Sequence, residues 1–178
     1  MEISRSYTPV PLLDQSSTTG SPQSLNLLVK VYPDGALTPQ LGSLTPGDVV
    51  RVSDHTGNFS LSQLKSCRQI LLLAAGTGCT PIFSLLPHIS KTVPGVKVTL
   101  LNFNRTQEDI IWRRELDEFK SANSWLTVVH VLSEEVGTWD GPRGRISRQL
   151  LEQNLDDIKE GRFAAVCGPK GFTEESDR

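Results

Sequence analysis

Residues 69–81 read QILLLAAGTGCTP, and the fold follows from how this stretch is parsed. The apolar run at 69–75 shows no polar alternation, which is the pattern of a strand buried on both faces in a parallel sheet. GTG then supplies a tight turn, and CTP opens an apolar segment with helical spacing. Glycines in such a turn let backbone amides approach an anion, and the following helix adds the positive end of its dipole. Thr80 is a good cap and Pro81 a good first helical residue. Pro87, further on, is expected to kink or end that helix early. The third glycine of the dinucleotide fingerprint is absent, with Pro81 in its place. A bare G-x-G therefore fits a ligand-free strand-to-helix turn as well as a phosphate site.

The same strand-turn-helix grammar repeats downstream. Buried-strand patterns recur at 96–103, 126–132 and 162–166, and the spacing of Trp112, Leu116 and Phe119 predicts a helix over 107–120. Thr106 followed by Asp109 reads as its N-terminal cap, and a second helix is predicted from Ser147. Four buried strands alternating with helices imply a doubly wound parallel sheet covered on both faces, because parallel neighbours need long crossovers. Upstream of residue 66 the grammar changes. The runs 25–32 (LNLLVKVY) and 49–53 (VVRVS), separated by PDG and TPGD turns, predict antiparallel β structure. Residues 14–23 are small and polar and read as a loop. The fold class is thus β followed by α/β, with units at 1–66 and 67–178.

Composition narrows the functions. Apolar residues are 37% and charged residues 21% of 178, enough for a packed core. With 18 basic against 20 acidic residues, the net charge of −2 leaves no surplus to hold a nucleic-acid backbone. No apolar run reaches the roughly 20 residues that span a bilayer, and residues 1–12 lack the core of a secretion signal. Cys67, Cys79 and Cys167 are too far apart for a CxxC pair, which suits a reducing compartment. His55, His88 and His130 show no HxxxH spacing, so no metal is assigned.

Three more segments could carry chemistry. Cys167, Gly168 and Pro169 follow the last apolar strand at what would be the same carboxyl edge of the sheet, where open α/β folds collect ligands. Cys167 also fits a small residue closing a strand. RSYTP at 5–9 offers an Arg fork, a Tyr ring and a Thr hydroxyl, with Arg5 and Tyr7 on one face of a strand; it equally fits an ordinary exposed strand. Gly35, Ala36, Leu37 and Thr38 follow a PDG turn and could offer amides to a pyrophosphate.

In their order and spacing, RSYTP, VKVY, GALT, GTGCTP and CGP resemble the flavin reductase family that includes ferredoxin–NADP reductase and, more closely, NADH–cytochrome b5 reductase. NRTQEDII at 104–111 and WDGPRGRIS at 139–147 extend the likeness over nearly the whole chain. The resemblance implies a partial antiparallel FAD-binding barrel followed by an NAD(P)-binding domain, with flavin and nicotinamide meeting between them. It assigns Arg5, Ser6, Tyr7 and Thr8 to the flavin, with Arg5 toward the pyrophosphate and Thr8 near the flavin nitrogen that accepts hydride. Gly35, Ala36, Leu37 and Thr38 match the second flavin segment, and Val29 and Lys30 the segment near the nicotinamide nucleotide. Gly76, Thr77, Gly78, Cys79, Thr80 and Pro81 match the nucleotide turn, and Cys167, Gly168 and Pro169 the segment beside the nicotinamide. Thr8 and Cys167 are the catalytic candidates. FAD is the implied cofactor, NADH or NADPH the donor, and a cytochrome b5-type haem domain the partner.

Several departures from the family pattern matter. NADH-specific members carry an acidic residue where this chain has Ser133, and Arg143 and Arg145 could pair with a phosphate, so both NADH and NADPH are expected to be accepted. The family's first barrel strands before RxYT and its last strand after CGP are not in this sequence, nor is a haem-binding HPGG, which is the expectation for a piece of a longer protein or a short form with an open barrel. The competing function is therefore a non-catalytic module that binds nucleotide or a partner. The sparse cysteines and the lack of a signal predict a cytoplasmic location, to which the family resemblance adds association with the endoplasmic reticulum.

Overall fold

The computed structural model describes residues 3–10, 25–54, 57, 59–134, 137–155 and 161–177. The 14–23 stretch read as a loop and His55 lie outside them. Among the described residues five α-helices, α1 (Thr38–Gly42), α2 (Cys79–Thr92), α3 (Arg113–Ala122), α4 (Arg148–Asn154) and α5 (Lys170–Ser176), accompany four strands, β1 (Gln69–Ala75), β2 (Lys97–Asn104), β3 (Leu126–Leu132) and β4 (Arg162–Cys167). The strands make one sheet, all parallel, in the order β3-β2-β1-β4.

Strand alternation sorts the core into two layers. Ile70, Leu72 and Ala74 of β1, Val98 and Leu100 of β2, and Leu126 and Val128 of β3 meet Ile82, Phe83, Leu86 and Ile89 of α2 and Leu116 of α3. Leu71, Leu73, Leu101, Phe103 and Val131 point the other way, onto Ile146 and onto Leu150 of α4, with Phe172 of α5 beside them. Helices therefore cover both faces, as the doubly wound reading requires. The chain steps from β1 to β2 to β3 in one direction and then returns past β1 to β4. The strand order thus reverses between β1 and β4, the place where open α/β sheets bind ligands.

Local expectations fared unequally. Ser147 caps α4 as read, its hydroxyl accepting from the Leu150 amide at 3.3 Å. The helix predicted over 107–120 instead starts at Arg113, because Trp112 adopts a left-handed φ of 53° that no helix can run through. Residues 105–112 form turns. The Thr106 hydroxyl bonds Glu108 rather than capping a helix. The apolar face still holds: Leu116 is buried, Trp112 and Phe119 pack on the same core, and the Phe83 and Trp112 ring centroids lie 4.7 Å apart.

At α2, a 3-10 turn over Gly76–Gly78 runs into the helix, so Gly78 stands at the N-cap position and Thr80 and Pro81 lie inside the first turn. The Thr80 hydroxyl donates to the Thr77 carbonyl at 3.0 Å instead of capping. Pro87 does not end α2, which continues to Thr92. A proline inside a helix costs about 3 kcal/mol. Burying Ile82, Phe83, Leu86 and Ile89 is worth about 1.5–3 kcal/mol for each side chain, and this outweighs the lost hydrogen bond.

The runs 25–32 and 49–53 do not form strands. Among the described residues of the first unit the one ladder contact is an antiparallel bridge between Pro9 and Leu27, with the Val10 amide donating to the Asn26 carbonyl at 2.9 Å. An extended run becomes a strand only by sustained pairing, and among the described residues the 25–32 run meets the 9–10 segment at that one bridge while 49–53 forms no ladder. Their apolar side chains stay exposed: Val49 at 94%, Val52 at 69% and Leu25 at 66%.

Candidate functional site

The β1–α2 turn and the β4–α5 turn meet at the point where the strand order reverses. Two glycines make the β1–α2 turn possible for different reasons. Gly76 has φ +54°, a left-handed conformation that favours glycine. Gly78 has an ordinary helical φ of −62° but no room: a Cβ there would run into the Cys167 carbonyl and come within 2.8 Å of the Gly168 nitrogen. Gly168 is confined too, though by side chains, since a Cβ would sit 2.8 Å from the Phe172 ring and 2.9 Å from the Ala75 Cβ. Sequence reasoning assigned Gly76 and Gly78 to a tight turn and to ligand approach. In the structure, Gly78 and Gly168 serve the contact between the two turns, and that contact is what sets the width of the crevice.

Two thiols border the contact. Burial pushes the Cys79 thiol up to about 12, with a small added push from Cys167, and it raises Cys167 as well. Neither is a thiolate near neutral pH, so neither is a nucleophile. Half-buried Cys167 offers an uncharged, polarizable surface at the crevice. The Cys79 amide at the start of α2 already donates to the Gly76 and Thr77 carbonyls of the 3-10 turn, so the anion-facing element here is the turn itself, at the positive end of a fourteen-residue helix with no acidic side chain in its first turn.

Segments of the first unit reach the same domain. The Ser84 hydroxyl on α2 donates to the Pro9 carbonyl at 2.7 Å, which places Thr8 and Tyr7 beside that helix, both half-buried. Lys30 Nζ lies 3.1 Å from Asp109 Oδ1 in the β2–α3 connection and 5.9 Å from the Tyr32 ring centroid. Val29 is half-buried next to it. Arg5 and Ser6 are exposed, and the Arg5 guanidinium donates to the neighbouring Ser4 carbonyl at 2.7 Å. Among the described residues no bond joins Arg5 to the 35–38 turn.

That turn fits a pyrophosphate through its backbone. Ala36, Leu37 and Thr38 lead into α1 and have no carbonyl four residues back to bond. The Thr38 side chain is already committed: its Oγ1 accepts from the Tyr32 amide at 3.0 Å and donates to the Tyr32 carbonyl at 3.3 Å. Gly35 closes the same turn, where a Cβ would stand 2.6 Å from Thr38 Oγ1.

At the other end of the carboxyl edge, β2 and β3 finish side by side, with Asn104 in register with Leu132. The Ser133 amide donates to the Asn104 carbonyl at 3.0 Å. Arg105 and Glu134 follow and pair at 3.0 Å. Arg143, expected to reach a phosphate, is otherwise engaged: its guanidinium donates to the Gly137 and Trp139 carbonyls at 2.9 and 3.1 Å, which fastens its own loop. That loop docks on β3 through the Leu132–Arg143 bridge. Arg145 is exposed. Sequence reasoning missed Asp109, Ser84 and Arg105. The readable signal for Arg105 was charge placed directly after two neighbouring parallel strands.

A polar trio joins β2, β3 and α3: Asn102 and His130 are buried and Asp117 is exposed. His130 Nδ1 lies 3.3 Å from Asn102 Nδ2, and its Nε2 is 3.5 Å from Asp117 Oδ1, too far for a good hydrogen bond. Burial is the largest influence and holds His130 below its ordinary 6.5, opposed by Asp117 and reinforced by Arg113 and Lys120. The folded chain therefore keeps His130 neutral, while the unfolded chain takes up its proton first as the pH falls. Stability is full above about 6.5 and is lost on acidification through the lower native value. The carboxylates of Asp48 and Glu108, both held low by hydrogen bonds, contribute their losses only below 3.8 and 4.5. Melting temperature is expected to drop between pH 7.5 and 5.5, and His130→Gln to flatten that slope. An unchanged slope in the variant would show that another group carries the effect.

The family profile described as the oxidoreductase NAD-binding domain matches residues 72–178, and that described as the oxidoreductase FAD-binding domain matches residues 1–61. The chain belongs to the oxidoreductase NAD-binding family, with the FAD-binding unit preceding it. It is 39% identical over 186 residues to cytochrome b5 reductase 4 of Homo sapiens and 37% identical over 182 residues to that of Xenopus tropicalis. These alignments cover 99% and 98% of this chain and 35% of either relative, so the chain spans about a third of the length of the curated relatives it matches. The CS-b5R domains of human Ncb5or in the NAD+ form superpose with a TM-score of 0.88 at 37% identity, covering 99% of this chain and 52% of that one. The cytochrome b5 reductase domain of Ulva prolifera nitrate reductase shares the fold, with a TM-score of 0.76 at 23% identity over 84% of this chain and 65% of that one.

Proposed function

We propose that this chain works in an NAD(P)H-dependent reductase that delivers electrons one at a time to a cytochrome b5-type haem, with the two units joined near residue 66. Bound FAD would supply the chemistry, accepting a hydride and releasing single electrons. The protein's part is alignment. The Gly76–Gly78 turn at the positive end of α2 holds the dinucleotide pyrophosphate, Cys167, Gly168 and Pro169 present a neutral wall to the nicotinamide, and the amides of 36–38 with Arg5 hold the flavin pyrophosphate. Tyr7 lies along the flavin, Thr8 hydrogen-bonds near its hydride-accepting nitrogen, and Lys30 orients the nucleotide. No side chain need act as acid or base. The observation that carries this reading is the docking of the RSYTP and VKVY segments onto the nucleotide domain through Ser84 and Asp109.

The test is whether the purified protein is yellow and reduces ferricyanide when given NADH. A colourless protein that still binds nucleotide would favour the second reading, a non-catalytic binding module. The exposed Val49, Val52 and Phe59 of the first unit favour that alternative. We also infer that both nucleotides are used, since Ser133 carries no charge. Turnover with NADH and NADPH is expected to differ by less than about a thousandfold, roughly 4 kcal/mol; a larger preference for NADH would mean that Glu134 dominates the site. Among the described residues no helix is long and apolar enough to cross a membrane. With three free cysteines, a cytoplasmic setting, with the endoplasmic reticulum as the associated membrane, is the proposed location.

A further inference from the structure

We propose that Arg105 is the specificity-determining residue that admits the 2′-phosphate of NADPH, exchanging its bond to Glu134 for one to the phosphate; this rests on the reading of the chain as an NAD(P)H-using protein. In dinucleotide folds the pyrophosphate sits at the first βα turn and the adenosine ribose lies toward the end of a neighbouring strand. An acidic side chain there bonds the ribose 2′-hydroxyl, whereas an arginine accommodates a 2′-phosphate. Here β2 is that neighbour of β1, and Arg105 is the residue directly after it.

Parallel pairing brings the acidic alternative to the same spot. Asn104 is in register with Leu132, so the chain leaves β2 as Arg105 and β3 as Ser133 and Glu134. Backbone bonds lock the two exits together, from the Ser133 amide to the Asn104 carbonyl at 3.0 Å and from the Glu134 amide to the Arg105 carbonyl at 2.9 Å. The two side chains then compete for one place. Arg105 Nε lies 3.0 Å from Glu134 Oε2 and 4.0 Å from Asp109 Oδ2, while Asp109 is drawn away by Lys30 at 3.1 Å.

This arrangement favours exchange. The side chains of Arg105 and Glu134 are 70% and 56% exposed, and a solvated pair of that kind contributes little and breaks at small cost. Among the described residues the guanidinium is engaged through Nε, which leaves the Nη fork whose geometry matches a phosphate. With Arg105 on Glu134, the carboxylate is neutralised and repels an incoming phosphate less. With Arg105 turned to the phosphate, the charge of the ligand replaces that of Glu134. Ser133, uncharged, adds no repulsion.

Calorimetric titration of this chain with 2′,5′-ADP and with ADP tests the idea without depending on flavin or turnover. Arg105→Gln is expected to weaken 2′,5′-ADP binding at least tenfold while changing ADP affinity less than twofold. Arg105→Lys should keep part of the preference, and Glu134→Gln should strengthen 2′,5′-ADP binding several-fold. Equal losses for both probes, or no loss for 2′,5′-ADP, would overturn the assignment while leaving the nucleotide-binding reading intact. Failure of the unsubstituted chain to bind either probe would overturn that reading and this proposal together.

Discussion

Gly78→Ala is expected to be the most damaging single-methyl change in this chain, costing about 3 kcal/mol, the upper end of what overpacking does. The reason is what the new Cβ meets. Flexible side chains can turn aside, but here the obstacle is the backbone of Cys167 and Gly168, held in place by β4 and its pairing with β1. Either the β4 turn or the start of α2 must move, and both movements disturb the site proposed for the dinucleotide. Loss of stability in urea should therefore be matched by a loss of ADP affinity. Gly76→Ala is the control. There nothing lies within 4 Å of the new Cβ, and the cost is backbone strain at φ +54°, about 1–2 kcal/mol. If Gly76→Ala proves the costlier of the two, close packing of the turns is the wrong account of Gly78.

Leu72→Ala is expected to cost a further distinct amount, about 2–5 kcal/mol, through a cavity in the layer beneath α2. Leu72 is fully buried at the middle of β1, an interior strand, and lies in register with Leu100 on one side and Ala165 on the other. Its neighbours belong to strands and cannot collapse inward without breaking ladder bonds. Since a domain of this size is held by only about 5–15 kcal/mol in all, the variant should unfold at markedly lower urea with an unchanged m-value. A loss below about 1 kcal/mol would mean that the layer repacks freely, which close-packed interiors do not.

The parallel sheet was legible in the sequence because burial on both faces removes polar alternation, and 69–75 shows this plainly. The two turns of the candidate site were legible because they directly follow such runs. Other features were decided by contacts the sequence does not display. Trp112 turns left-handed and delays α3, a backbone choice stabilised where its ring meets Phe83 across the helix pair. The runs 25–32 and 49–53 have strand composition, but composition supplies no partner, and the ladder did not follow. Lys30 and Asp109 are 79 positions apart and Arg105 and Glu134 are 29 apart, so both pairs exist only once the chain is folded. Gly78 shows a subtler limit. Its presence was readable, but whether it clears space for a ligand or for a carbonyl was not.

The bond from Ser84 to the Pro9 carbonyl makes α2 a shared strut: the rod proposed to start at one coenzyme also holds the extended segment of the unit that matches the FAD-binding domain. Under that proposal, tilt of the rod would change both seats at once. Reactions between held partners tolerate little such error, with a misplacement of about 1 Å costing on the order of a hundredfold in rate. Substitutions in the buried stripe of α2, remote from either coenzyme, would therefore detune the transfer distance before they unfold the molecule.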